Sequence, residues 1–149
     1  MATPLLPEDF KEFLRLLNEK KVEYLLIGGY AVGYYGYVRA TAAMDVWIAR
    51  RAENAARAVS ALREFGFDVP ELSVELLLDP DNVLRMGVPP FRLELLGSIS
   101  GVGFAECYAE RVVDTIDEVQ VSIIGLRHLK VNKRAAGRLK DLADLEHLP

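Results

Sequence analysis

The stretch from Tyr24 to Ile48, YLLIGGYAVGYYGYVRATAAMDVWI, constrains this chain more than any other. The apolar run Glu23–Ile27 reads as a short strand and stops at the breaker pair Gly28-Gly29. Tyr30–Tyr35 reads as a short helix, and Met44–Ile48 as a second strand. A strand that turns through two glycines into a helix brings backbone N–H groups close to a ligand, because glycine has no Cβ in the way. The bland alternative for Gly28-Gly29 is a simple turn.

Further along, Pro7–Lys20 has Phe10, Phe13, Leu14 and Leu17 at helical spacing. Ala52–Phe65 repeats that pattern through Ala55, Val59 and Leu62, with Gly66 placed as a C-terminal cap. A loop or short helix runs to Leu78, followed by strands at Asn82–Met86 and Phe91–Leu96 on either side of Gly87-Val88-Pro89-Pro90. A helix over Val102–Glu110, a hairpin through Asp117-Glu118, and helices at Leu126–Ala135 and Leu139–Leu148 complete the chain. Helices mixed with strand pairs predict an α+β fold: a mixed β-sheet flanked by helices, with a short C-terminal helical segment from about residue 125. At 149 residues, with no repeat or linker, residues 1–149 are expected to form one domain.

Several function classes drop out. One cysteine, Cys107, allows neither an internal disulfide nor a CxxC zinc site, and two histidines are too few for a His-rich metal cluster. Met1–Pro7 lacks the basic flank and apolar run of a signal peptide, and no run of apolar residues is long enough to cross a membrane. A cytoplasmic protein with no membrane partner is expected. The net charge of −4 argues against a purely electrostatic nucleic-acid binder, but Arg127 to Lys140 holds six Lys/Arg and no acid. Leu126, Leu129, Ala136 and Leu139 are expected to bury the other side of that basic block.

Strand alternation puts Ala43, Asp45 and Trp47 on one face and Met44, Val46 and Ile48 on the other. Asp45 is then a lone carboxylate beside an apolar strand. In Arg92-Leu93-Glu94-Leu95-Leu96, Arg92 and Glu94 share a face, so Glu94 reads from the residues alone as a surface glutamate paired with Arg92. Tyr30 and Tyr34 lie one helical turn apart, placed either to pack a base or ribose or to act as half-buried packing residues. Cys107 and Trp47 read as core.

The whole Gly28–Ile48 segment resembles the signature of minimal nucleotidyltransferases of the DNA polymerase beta superfamily, including the AbiEii-like toxin–antitoxin enzymes. In that family a Gly-Gly or Gly-Ser turn precedes an Arg-x-Thr-x-Asp-x-Asp strand, and a third carboxylate comes from a neighbouring strand. Gly28 and Gly29 match the turn, Arg39 and Thr41 the lead-in, and Asp45 the second aspartate. Glu94 matches the third carboxylate, whereas Ala43 stands where the first aspartate is expected. Lys130, Lys133 and Lys140 of the basic block match terminal-helix residues that face nucleotide phosphates or the acceptor.

The resemblance implies a polymerase-beta-type fold and transfer of a nucleoside monophosphate from an NTP to an RNA (tRNA) or protein hydroxyl. Two Mg²⁺ ions are expected in an intact site, with Asp45 bridging them and Glu94 holding the one that activates the nucleophile. Alanine offers no oxygen, so the resemblance predicts a nearly inactive site. Ala43 is either a substitution that silences an enzyme or natural decay. The competing function is a non-catalytic antitoxin or protein-binding module, with a cognate toxin or antitoxin as partner.

Overall fold

The computed structural model describes residues 6–149, so Met1–Leu5 of the N-terminal stretch lie outside the described residues. The elements run α1 (Glu8–Glu19), β1 (Tyr24–Ile27), α2 (Gly28–Tyr34), β2 (Ala43–Ile48), α3 (Ala52–Phe65) and α4 (Val74–Leu78). They continue with β3 (Val83–Met86), β4 (Arg92–Leu96), α5 (Phe104–Ala109), β5 (Val112–Ile116), β6 (Val119–Ile123), α6 (Leu126–Ala136) and α7 (Leu139–His147). The six strands form one mixed sheet in the order β3-β4-β2-β1-β6-β5. The α+β expectation, with helices flanking a mixed sheet, holds.

The sheet is built around β2. It pairs antiparallel with β1 and parallel with β4, so both of its edges are hydrogen-bonded. Met44, Val46 and Ile48 are almost completely buried, as are Leu93 and Leu95 on β4. This apolar face joins the main core with Phe10, Phe13, Leu14 and Leu17 of α1 and Ala55, Ala58 and Leu62 of α3. Burial of that continuous apolar surface is what holds the helices on the sheet. The opposite face carries Asp45 and Glu94.

Local chemistry sets the element ends. Gly66 stops α3 in the left-handed conformation at φ 112°, as the sequence predicts. The hairpin between β5 and β6 turns at Asp117 and Glu118, both with positive φ (48° and 73°), the geometry of a two-residue turn that follows the strand twist. Helix α2 begins at Gly28, two residues before the expected start at Tyr30: the strand-to-helix turn is completed by Gly28 at φ 67°, and no separate loop intervenes. The core reading of Trp47 and Cys107 also holds, at 2% and 0% exposure.

The junction where β1 begins and β2 ends depends on one fully buried polar side chain. Asn54 of α3 accepts from the Glu23 N–H at 2.7 Å and donates to the carbonyls of Glu23 (3.1 Å) and Ala49 (2.9 Å). Replacing it with alanine leaves buried backbone groups without partners, at about 1–3 kcal/mol each when water cannot reach them. Asn54→Ala is expected to lower unfolding free energy by about 3 kcal/mol in a urea titration. A loss below about 1 kcal/mol would mean that water replaces the amide.

Candidate functional site

The β2–β4 register sets Asp45 directly beside Glu94 and Ala43 beside Arg92. Across β1 the partner of Asp45 is Ile27, so the chain turns into Gly28 just over the carboxylate. A Cβ at Gly28 would collide with Asp45 Oδ2, and one at Gly29 would come within 2.8 Å of Thr41 Oγ1. The glycine pair is therefore a steric requirement of this strand end.

Above the two carboxylates lies a cleft of about 420 Å³. It collects Gly28, Gly29, Arg39, Thr41, Asp45, Glu94 and Lys133 from the residues singled out in the sequence, and Lys140 as well. Ser98, Asn132 and Arg138 also line it and were not singled out. Ala43 is buried behind this surface at 6% exposure, and its carbonyl accepts from Thr41 Oγ1 at 3.1 Å. Lys130 does not line the cleft; its amine donates to the Pro149 carbonyl. Tyr30 packs edge-on to Phe10 with ring centroids 5.6 Å apart, and the Tyr34 hydroxyl donates to Asp114 Oδ2 at 2.6 Å. Both therefore serve as packing and anchoring residues.

The two carboxylates differ in their surroundings. Glu94 Oε2 lies 2.9 Å from Arg92 Nε and 3.5 Å from Arg85 Nε. The closer contact is electrostatic, since Arg92 Nε is too poorly aligned to count as a hydrogen-bond donor. The Arg92 pairing read from the sequence is therefore present alongside the cleft position. Asp45 has no ion-pair partner among the described residues. Burial, and then the charge of Glu94, push its carboxyl up to about 6, partly offset by the positive fields of Lys140 and Lys133.

The far wall of the cleft is a buried charge cluster. Lys133 Nζ sits 3.2 Å from Asp141 Oδ1 and 3.0 Å from Asp144 Oδ2. Arg39 grips Asp144 with two bonds, Nε to Oδ1 at 2.7 Å and a terminal nitrogen to Oδ2 at 2.8 Å. Arg138 Nε donates to Asp141 Oδ2 at 2.7 Å. Burial pushes both aspartates up, but the hydrogen bonds from Arg138, Arg39 and Lys133 outweigh it and hold both carboxyls below their ordinary value. Asp141 and Asp144 were not picked out in the sequence, although their spacing places them on one helix face. Leu139, expected to be buried, is 87% exposed because these aspartates occupy the inner face of α7.

The donor set limits what cation fits. Asp45 and the free oxygen of Glu94 supply two carboxylates, which suits a single Mg²⁺ completed by phosphate oxygens and water. Ala43, on the same strand face, offers no side-chain oxygen to a cation. Among the described residues no group of three or more His, Cys, Asp and Glu could hold a metal. Among the same residues no helix is long and apolar enough to cross a membrane. No protein-family model matches the chain, and no curated protein matches it.

The raised carboxyl of Asp45 has a measurable consequence. The folded state holds this proton more tightly than the unfolded state, so ionising Asp45 costs stability as pH rises from about 4 through 6. In Mg²⁺-free buffer Asp45→Asn is expected to raise unfolding free energy at pH 7 by about 2 kcal/mol, with the gain vanishing near pH 4. Equal stabilities at both pH values would place Asp45 in a fully solvated environment.

Proposed function

We propose that this chain is a nucleotidyltransferase-type domain with a polymerase-beta-type fold, whose cleft takes an NTP. The reading rests chiefly on one observation: Asp45 and Glu94 lie in register on adjacent parallel strands, on the floor of a cleft whose opposite wall is cationic. Gly28 and Gly29 leave the backbone open to phosphate, while Lys140 and Arg138 face the same space.

In the reaction an acceptor hydroxyl, on RNA such as a tRNA end or on a protein, attacks the α-phosphorus. A new O–P bond forms, the Pα–O–Pβ bond breaks, pyrophosphate leaves and the hydroxyl proton passes to water. A Mg²⁺ ion held by Asp45 and Glu94 would neutralise phosphate charge. The chain itself contributes positioning and a fixed positive field on the leaving group, which is how catalysis of this class chiefly works. Among the described cations lining the cleft, Lys140 is exposed and outside the buried cluster, so it can reach a phosphate. Lys133 and Arg39 act at one remove, because their charges are already shared with Asp141 and Asp144.

On this reading an aspartate at position 43 would add a carboxylate to hold the Mg²⁺, and Ala43 supplies none. The loss of transition-state stabilisation amounts to about a thousandfold or more in rate, at about 1.4 kcal/mol per tenfold. One observation favours a second reading. Arg92 and Arg85 already neutralise Glu94, so that carboxylate is balanced without metal, as a non-catalytic antitoxin or protein-binding module requires. Either form would act with a cognate toxin or antitoxin, in the cytoplasm.

The two readings part on one substitution. Ala43→Asp, incubated with Mg²⁺, α-labelled NTPs, RNA and cell extract, is expected to transfer label at least about a thousandfold faster than the present chain. Lys140→Ala is expected to weaken NTP binding about tenfold by calorimetry. Silence from both chains, with no heat of NTP binding, would leave the protein-binding module.

A further inference from the structure

Beside the cleft lies a second cavity, of about 470 Å³, lined by Trp47 of β2 and by Phe104 and Tyr108 of α5. Ser98 lines both spaces, so the two meet at the turn after β4. We propose that this cavity binds a nucleobase of the acceptor, distinct from the base of the NTP. The acceptor role rests on the nucleotidyltransferase reading above; the binding site does not.

Three observations converge on this chemistry. The first is the indole of Trp47, which is 2% exposed and whose Nε1 has no hydrogen-bond partner among the described residues. A buried N–H left without an acceptor is costly, and an indole in such a place normally has a partner. The nitrogen is closed to solvent in this structure, so an in-plane nitrogen or oxygen of a planar heterocycle would serve it only after the cavity wall shifts. The second is the flat wall of the cavity. Phe104 meets Trp47 edge-on at 5.0 Å and stacks on Tyr108 at 5.4 Å, and Arg111 covers the Tyr108 ring at 3.9 Å, so the surface a base would lie on is that of Phe104 and Trp47. The third is the charge at the rim. Arg51 is neutralised by Glu23 at 3.0 Å, but Arg50 gives only its Nε to the Gly97 carbonyl. Its terminal nitrogens remain to meet a phosphate.

The volume lies in the range of small-ligand sites. Trp47 is two residues from Asp45 on the same strand face, a spacing of about 7 Å. A ring against Trp47 therefore sits about one sugar's length from the cleft floor. The base can arrive on a free mononucleotide or on the end of a single RNA strand; the cavity chemistry is the same for both.

Trp47 is the only tryptophan of the chain, so its fluorescence reports on this cavity directly. The intact chain is to be titrated, in Mg²⁺-free buffer, with nucleosides, nucleoside 5′-monophosphates and a short single-stranded RNA. Saturable quenching is expected. Phe104→Ala is expected to weaken it about tenfold, and Asp45→Asn to leave it unchanged. Arg50→Gln, at an exposed position, is expected to weaken monophosphate binding about tenfold and nucleoside binding hardly at all, which separates ligand loss from misfolding. A steep fall in RNA affinity with salt, with mononucleotides much weaker, would assign a strand end; equal affinities with a shallow slope would assign the free nucleotide. Absence of quenching by all three ligands would overturn the proposal. So would quenching that is lost in Asp45→Asn and kept in Phe104→Ala, since the ligand would then lie in the cleft. Quenching as expected without label transfer by Ala43→Asp would remove the enzyme reading and leave the cavity standing.

Discussion

Lys133, almost fully buried between Asp141 and Asp144, fixes where the C-terminal helices meet the sheet. Taking three charges out of water is expensive, and their mutual attraction recovers the cost only if each is well paired. Here the pairing is nearly complete. Arg39 closes one aspartate from the loop before β2, and Arg138 closes the other at the start of α7. Such a cluster adds little net stability, but removing one partner leaves a buried charge exposed to the full penalty. Its effect is positional: it ties α6, α7 and the Arg39 loop together, and that arrangement forms the cationic wall of the cleft.

Against that wall, Asp45 is in conflict with the fold. It is largely buried, close to a second carboxylate, and without a direct counter-ion, so its carboxyl is pushed up to about 6. Glu94 meets the same surroundings differently, by drawing in Arg92 and Arg85. The two acids are neighbours in register and opposites in compensation. Burial beside Glu94 is what costs stability when Asp45 ionises, and a group that binds a cation there would recover it. The steric fit of Gly28 over Asp45 keeps the carboxylate in place, since a Cβ there would drive it out of position.

Most of this architecture is legible in the sequence because it rests on short-range rules. The amphipathic spacing of α1 and α3, the left-handed stop at Gly66 and the two-residue hairpin at Asp117-Glu118 need no knowledge of the rest of the chain. Alternation along β2 correctly separated Asp45 from Met44 and Val46. What the sequence did not reveal depends on long-range pairing. The basic block from Arg127 to Lys140 reads as a charged surface, yet Lys133 is drawn inside by acids eight and eleven residues later. The same acids invert α7, leaving Leu139 exposed where periodicity would bury it. Lys130, three residues from Lys133, faces the chain terminus instead of the cleft. Trp47 reads equally well as core from the sequence; only the cavity beside it and its unpartnered Nε1 distinguish a lining residue from packing.

The chemistry is concentrated on one face of a single strand. Ala43, Asp45 and Trp47 project from β2 at intervals of about 7 Å, giving in succession a methyl group, a carboxylate and an indole. A shift of register by one residue would replace all three with Met44, Val46 and Ile48, and would also turn those apolar side chains out of the core. β2 cannot slip in this way, because β1 and β4 hold both of its edges and its other face is sealed against α1 and α3. Because the register is fixed by the apolar face, a change of side chain at Ala43 leaves the strand pairing as it is. The sheet is held by the apolar face of Met44, Val46 and Ile48, and the opposite face, with Ala43 and Trp47 also buried, carries Asp45 toward the cleft.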